Sequence, residues 1–298
     1  MKHVTITILL SGIVFLTGCT RTFSDTEKWS ITTSFYPLYY FTSQLTGTHA
    51  EVITITPSGV EPHDFEPTAR DIARIADSKL LILNGRGLEP WGNRVREEVN
   101  ANGTQVIEVG NSVATTLSSE EGSGLDPHIW LNPVLAEQEV LIISNSLISL
   151  DPLHQDEYKQ NTLELTQKLT ELDSEYRQGL ANCSQKSFIT SHTAFGYLAK
   201  EYGLEQKSIA GLSPDAEPSA KQLADLAQFA YDNKVKYIFF ESLVSPKLAD
   251  TLAQEVNAQT LVLNPLEGLT KDEIDRGEDY FSVMRENLNN LRKALDCK

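Results

Sequence analysis

The chain has 298 residues, 40% of them hydrophobic and 22% charged, so it can bury sizeable cores, does not read as disordered, and by length suggests two domains. Twenty-five Lys and Arg against 41 Asp and Glu leave a net charge of −16, which argues against nucleic acid as a partner and concentrates cations instead. Three cysteines are too few for a disulfide scaffold and lack the Cys-x-x-Cys spacing of a zinc ribbon.

At the N-terminus Lys2 opens a short positive region, and Val4 to Leu16 carries no charge. About 13 residues of helix span roughly 20 Å, too short for a bilayer core of about 30 Å. Residues 1–18 therefore read as a signal peptide. It ends in Leu16-Thr17-Gly18-Cys19, which looks like a bacterial lipobox and predicts that Cys19 is lipidated and becomes the new N-terminus. Residues 19–28 are polar and form the expected tether to the membrane surface.

Beyond the tether, β-rich runs at Ile31–Phe35, Val52–Thr56, Leu80–Asn84 and Gln105–Val109 are each followed by a helical pattern. A second series comprises Ser187–Ser191, Gln206–Ala210, Val235–Phe240 and Thr260–Leu263. These runs show little alternation, as strands buried on both faces should, and amphipathic stretches such as Pro67–Ser78, Pro218–Asn233 and Ser245–Asn257 lie between them. Strand–helix alternation predicts an α/β chain with parallel sheets covered on both sides. Between the two series Pro133–Leu150 is one helical run, stopped by Asp151-Pro152. Gln155–Asn182 is a second, with Tyr158, Leu165, Leu169, Leu172, Tyr176 and Leu180 on one stripe. The expected organisation is an N-terminal lobe at 29–150, a linking helix within 151–182 that acts as a rigid strut, and a C-terminal lobe at 183–298. Each lobe carries a four-stranded parallel sheet with flanking helices. The segment Leu117–Gly124 reads as a polar loop.

Cys183 and Cys297 are the two cysteines left in an exported chain, where disulfides persist, and are expected to pair. Of the histidines, His49 lies in a polar turn and His154 opens the long helix, and both are expected to be solvated. His63, His128 and His192 differ, because each lies just beyond a predicted strand or in a loop after one. Ligands bind outside the carboxyl ends of parallel strands, so two histidines of the first lobe and one of the second can face a shared cleft. Three imidazoles suit Zn²⁺, and a fourth donor would close the site. Glu241 and Glu267 both stand at strand ends, and spacing does not choose between them. Glu61, Asp64 and Glu66 beside His63 are either supporting groups or a solvated acidic loop. No His-Glu-x-x-His, Gly-x-Ser-x-Gly or phosphate-binding Gly-rich motif occurs, so no enzyme is expected.

Several motifs together resemble the high-affinity metal-binding solute-binding lipoproteins of bacterial ABC transporters. They are Gly59-Val60-Glu61-Pro62-His63-Asp64-Phe65-Glu66-Pro67-Thr68, Asn84-Gly85-Arg86-Gly87-Leu88-Glu89-Pro90-Trp91, Asp126-Pro127-His128-Ile129-Trp130, Ser191-His192-Thr193-Ala194-Phe195 and Asn264-Pro265-Leu266-Glu267-Gly268-Leu269-Thr270. The similarity covers nearly the whole mature chain in order. It implies two α/β lobes joined by one long helix, with the metal between them and His63, His128 and His192 as ligands. It implies Glu267 as the fourth ligand, the zinc pattern; manganese-binding relatives typically carry a glutamate where His192 stands. The chain departs from many zinc relatives in having no histidine in the loop at 117–124. The resemblance implies a lipid-anchored, extracytoplasmic protein, at the cell surface or in the periplasm. It would act as a monomer and pass Zn²⁺ to an ABC permease. Manganese or iron uptake and a surface adhesin are the competing readings.

Overall fold

The structure, a computed structural model, describes Met1 and residues 29–113 and 125–298. The signal peptide, Cys19 with its tether, and the polar segment 117–124 lie outside the described residues. In the first half β1 (Trp29–Thr33), α1 (Tyr36–Thr46), β2 (Ala50–Thr54), α2 (Ala69–Ala76), β3 (Leu80–Leu83), α3 (Gly92–Asn100), β4 (Gln105–Glu108) and the single turn α4 (Val109–Ser112) follow one another. Two long helices come next, α5 (Pro133–Leu150) and α6 (Gln155–Leu180). The second half runs β5 (Ser187–Thr190), α7 (Gly196–Glu201), β6 (Glu205–Ser208), α8 (Ala220–Asp232), β7 (Tyr237–Phe240), α9 (Lys247–Glu255), β8 (Gln259–Val262), α10 (Lys271–Asp275) and α11 (Tyr280–Ala294).

Among the described residues the strands form two four-stranded sheets, ordered β2-β1-β3-β4 and β6-β5-β7-β8, and every pairing is parallel. All four residues of β3, Leu-Leu-Ile-Leu, are buried, as a central strand covered by helices on both faces requires. The two sheets share one topology. In each, the chain reverses direction of travel between the two central strands, and the crevice outside their carboxyl ends is where a ligand finds room.

Local chemistry sets the helix limits. Thr68 with Asp71, Ser219 with Gln222, Thr270 with Glu273 and Asp279 with Ser282 form reciprocal capping boxes that satisfy free N–H groups at the starts of α2, α8, α10 and α11. Asn132 caps α5, whose first residue is Pro133, where a missing N–H costs nothing. The 26 residues of α6 make a rod about 39 Å long. Its buried stripe, Tyr158, Thr162, Leu165, Leu169, Leu172, Tyr176 and Leu180, packs against α5, against α1 of the first half and against α11 of the second. The strut expected from the sequence therefore touches both halves along its length.

The largest apolar core is shared rather than divided. It runs from Phe35, Leu38 and Phe41 through Trp130 and Leu172 to Leu263, Leu266, Tyr280 and Met284 without a break. Smaller cores lie under the outer helices, around Ile75, Leu81 and Trp91 in the first half and around Ile189, Leu226 and Ile238 in the second. Cys183 and Cys297 are joined by a disulfide, tying the end of the chain to the segment before β5.

Candidate metal centre

The donors arrive from four separate places, each just past a strand or at the edge of the shared core. His63 sits in the loop that leaves β2, and His128 opens the short turn Ile129–Leu131 ahead of α5. His192 lies two residues after β5, and Glu267 follows β8. Glu267 is aimed by a strained neighbour. Leu266 has φ of +57°, unusual for a branched side chain, and is held there by its N–H donating to Asn264 Oδ1 at 2.8 Å. Asn264 is itself bracketed by Asn287, which accepts from its N–H at 2.8 Å and donates to its carbonyl at 2.7 Å.

The four side chains meet. His128 Nε2 lies 3.3 Å from His63 Nε2 and 3.2 Å from His192 Nε2. Glu267 Oε1 lies 3.2 Å from His128 Nε2 and 3.3 Å from both His63 Nε2 and His192 Nε2. For a regular tetrahedron the edge is about 1.6 times the centre-to-corner distance, so these edges enclose a point about 2.0 Å from each donor, the distance of Zn²⁺ to nitrogen and oxygen ligands. Among the described residues this is the one group of His, Cys, Asp and Glu side chains arranged to hold a metal ion.

Carboxylates behind two of the rings fix which nitrogen faces the centre. Asp126 Oδ1 pairs with His128 Nδ1 at 2.8 Å, and both oxygens of Glu241 lie 2.8 Å from His192 Nδ1. With Nδ1–H given to a carboxylate, each Nε2 turns a lone pair inward, the arrangement typical of metal-binding imidazoles. Glu241, one of two open choices for the fourth donor, therefore stands behind His192, and Glu267 takes the inner position. Asp126 was not singled out by the sequence reading; its signal is its place two residues ahead of His128, where the side chain also accepts from the His128 N–H at 2.9 Å. Among the described residues no carboxylate backs the Nδ1 of His63.

The charges at the site follow from burial and from each other. Burial would push the Glu267 carboxyl up, but the charge on His192 and contacts with all three imidazoles hold it well below the usual carboxylate range. Burial and the negative charge of Glu267 push Glu61 up to about 9, so Glu61 stays protonated beside an ionised Glu267. Burial disfavours the charged form of His63 and lowers it. Burial acts the same way on His192, but Glu241 and Glu267 outweigh it and raise it well above the ordinary histidine value. Asp64 and Glu66 are exposed, and Glu66 pairs with Arg94 at 3.0 Å, so these two belong to a solvated surface.

His49 and His154 are less solvated than their sequence surroundings suggested. Their rings stack at 3.9 Å, with His49 Nε2 2.6 Å from Glu157 and His154 Nδ1 2.6 Å from Asp151. The turn before β2 thus lies against the start of α6, bringing together two residues far apart in sequence.

The family model described as "ZnuA: Zinc-uptake complex component A periplasmic" matches residues 31–294. The chain belongs to the ZnuA family. The high-affinity zinc uptake system protein ZnuA of Bacillus subtilis (strain 168) is 43% identical over 287 residues, 92% of this chain and 90% of that protein. The zinc-binding lipoprotein AdcA of Streptococcus pneumoniae is 37% identical over 308 residues, covering 99% of this chain; the chain spans 62% of that longer relative. Among solved structures, the Zn(II)-bound ZnuA-like domain of S. pneumoniae AdcA is 40% identical, with a TM-score of 0.79 over 90% of this chain and 99% of that one. The ZnuA-family fold is thus two parallel α/β lobes with a long helix between them.

Proposed function

We propose that this ZnuA-family chain captures Zn²⁺ outside the cytoplasm and hands it to an ABC permease, with His63, His128, His192 and Glu267 as the ligands. The observation that carries the reading is the near-equal spacing of the donors, 3.2–3.3 Å along each measured edge, which suits a tetrahedral ion at about 2.0 Å. Three imidazoles with one carboxylate favour Zn²⁺ over Mn²⁺, which prefers more oxygen donors and a higher coordination number. Four protein donors leave no position for a bound water, so the site suits storage and transfer rather than hydrolysis. Residues 1–18 serve as the export signal, and lipidation at Cys19 with the 19–28 tether keeps the monomeric protein at the membrane where the permease lies. The lobes at 29–150 and 183–298, joined through 151–182, supply the two walls of the site.

The experiment is metal analysis of protein purified without added metal, followed by calorimetric titration of variants. Zn²⁺ at one equivalent is expected. His192→Ala should bind Zn²⁺ far more weakly, and Glu267→Ala less so, since water replaces an oxygen donor more readily than a buried imidazole. Wild-type affinity in His192→Ala, or manganese as the retained metal, would sink the reading.

A further inference from the structure

At the mouth of the site the two lobes touch through a contact that ligation does not require. His63 is the donor that solvent reaches, with 8% of its side chain exposed, whereas His128, His192 and Glu267 have none exposed. His63 is thus the edge of the site open to solvent. The loop carrying His63 begins at Pro57, and there Ser58 Oγ donates to the Leu269 carbonyl at 2.6 Å while the Gly59 N–H donates to the same oxygen at 3.1 Å. Leu269 stands two residues beyond Glu267. One carbonyl of the second lobe thus takes two hydrogen bonds from the first, between the loop bearing His63 and the loop bearing Glu267.

The two sides of this contact differ in stiffness. On the acceptor side, Asn264 and Asn287 brace the Glu267 loop, and Thr270, the residue after Leu269, starts α10 with a reciprocal capping box to Glu273. On the donor side Pro57, Ser58, Gly59 and Val60 are exposed. Gly59 sits at φ of +79°, a conformation that glycine adopts without strain. At Gly268 an added Cβ would come within 3.3 Å of Leu243 and 3.6 Å of the Val60 carbonyl, so a small residue there lets the loops approach.

We propose that Ser58 is a positioning residue whose hydroxyl, with the Gly59 N–H, clasps the His63 loop onto the Glu267 loop and sets how fast bound Zn²⁺ leaves. The proposal rests on the capture reading above. Ser58 does not touch the ion; it holds the loop that carries the one donor solvent reaches. One neutral hydrogen bond at a half-exposed site contributes a factor of about two to ten.

The test uses the full mature protein loaded with Zn²⁺ and mixed rapidly with excess chelator. Ser58→Ala is expected to release Zn²⁺ about two- to tenfold faster than wild type. Ser58→Thr keeps the hydroxyl at an exposed position and should return the rate to near wild type. The visible spectrum of the Co²⁺-loaded protein should be the same in all three, because the ligand set is untouched. Equal release rates for wild type and Ser58→Ala, or a Thr variant as fast as the Ala variant, would overturn the clasp. A changed Co²⁺ spectrum in Ser58→Ala would also overturn it, since Ser58 would then act on the ligands themselves. Wild-type protein that takes up no Zn²⁺ would instead bring down the capture reading, and the clasp with it.

Discussion

Beneath the metal centre the two lobes meet through aromatic rings, whereas at its mouth they meet through two hydrogen bonds on one carbonyl. In the lower seam Phe41 of the first lobe and Tyr280 of the second lie edge to face at 4.9 Å, and Tyr40 stacks on Tyr280 at 6.0 Å. Trp130 Nε1–H donates to the Pro265 carbonyl at 2.7 Å, and the Tyr280 hydroxyl donates to the Trp130 carbonyl at 2.6 Å, so the polar ends of the buried rings are satisfied across the lobes. A buried aromatic side chain removes roughly 150–250 Å² from water, and apolar surface so removed contributes about 25 cal/mol per Å². The mouth contact offers about 1 kcal/mol per hydrogen bond. The mouth contact is therefore much the weaker of the two, and α6 packs alongside the stronger.

The largest expected effect breaks the lower seam. Trp130→Ala removes a fully buried indole from the shared core and should cost about 3–5 kcal/mol of stability, measured by urea unfolding. Trp130→Phe keeps an aromatic ring but loses the pyrrole half of the indole and with it the donor to the Pro265 carbonyl, and should cost about 1–3 kcal/mol. A loss below about 1 kcal/mol in the alanine variant would mean that the seam does not hold the lobes together.

A second test leaves both seams intact and loosens the far end of the C-terminal lobe. The Cys183–Cys297 bridge spans a separation of 114 residues. Replacing both cysteines with serine should lower stability by about 2–5 kcal/mol, mainly by releasing the unfolded chain. Zn²⁺ affinity should not change, because the bridge lies away from every donor. Paired unfolding and metal titrations check this, and a matching fall in affinity would show that the seams do not isolate the site from the rest of the lobe.

The lower seam and the site were legible in the sequence to different depths. The ends of the eight strands fall within two residues of the expected runs, most plainly where a strand buried on both faces leaves a continuous apolar stretch, as in β3. Helix α5 spans Pro133–Leu150 as expected, since a proline at its start and Asp151-Pro152 after its end are local signals. The three histidines stand out in the sequence because each follows a predicted strand, and the structure brings their rings together. Choosing Glu267 over Glu241 was beyond spacing, because both carboxylates follow strands of the same sheet and only the ring of His192, standing between Glu241 and the centre, separates them. Nor could Trp130 and Tyr280 be paired from sequence: they lie 150 residues apart, and their hydrogen bond depends on how the lobes dock. The stacking of His49 on His154 likewise joins segments distant in sequence, the turn before β2 and the start of α6.

The smallest of these effects divides the three imidazole donors into the two backed by a carboxylate and the one that is not. Glu241→Gln keeps the size and hydrogen-bonding shape of the side chain behind His192 but removes its charge. Loss of such a partner should weaken Zn²⁺ binding about 10–100-fold. The pH dependence gives the finer reading. In wild type, burial opposes the charged form of His192, but Glu241 and then Glu267 raise it well above the usual histidine value, so near neutral pH the metal-free ring carries a proton that Zn²⁺ must displace. Without the Glu241 charge the ring holds that proton less tightly, and Zn²⁺ meets less competition as the pH falls. The ratio of wild-type to variant affinity should therefore be larger at pH 8 than at pH 6, and the variant should release fewer protons on binding. Calorimetry in buffers of different ionisation enthalpy measures both quantities. A ratio that stays constant between the two pH values would show that Glu241 orients the ring without governing its proton.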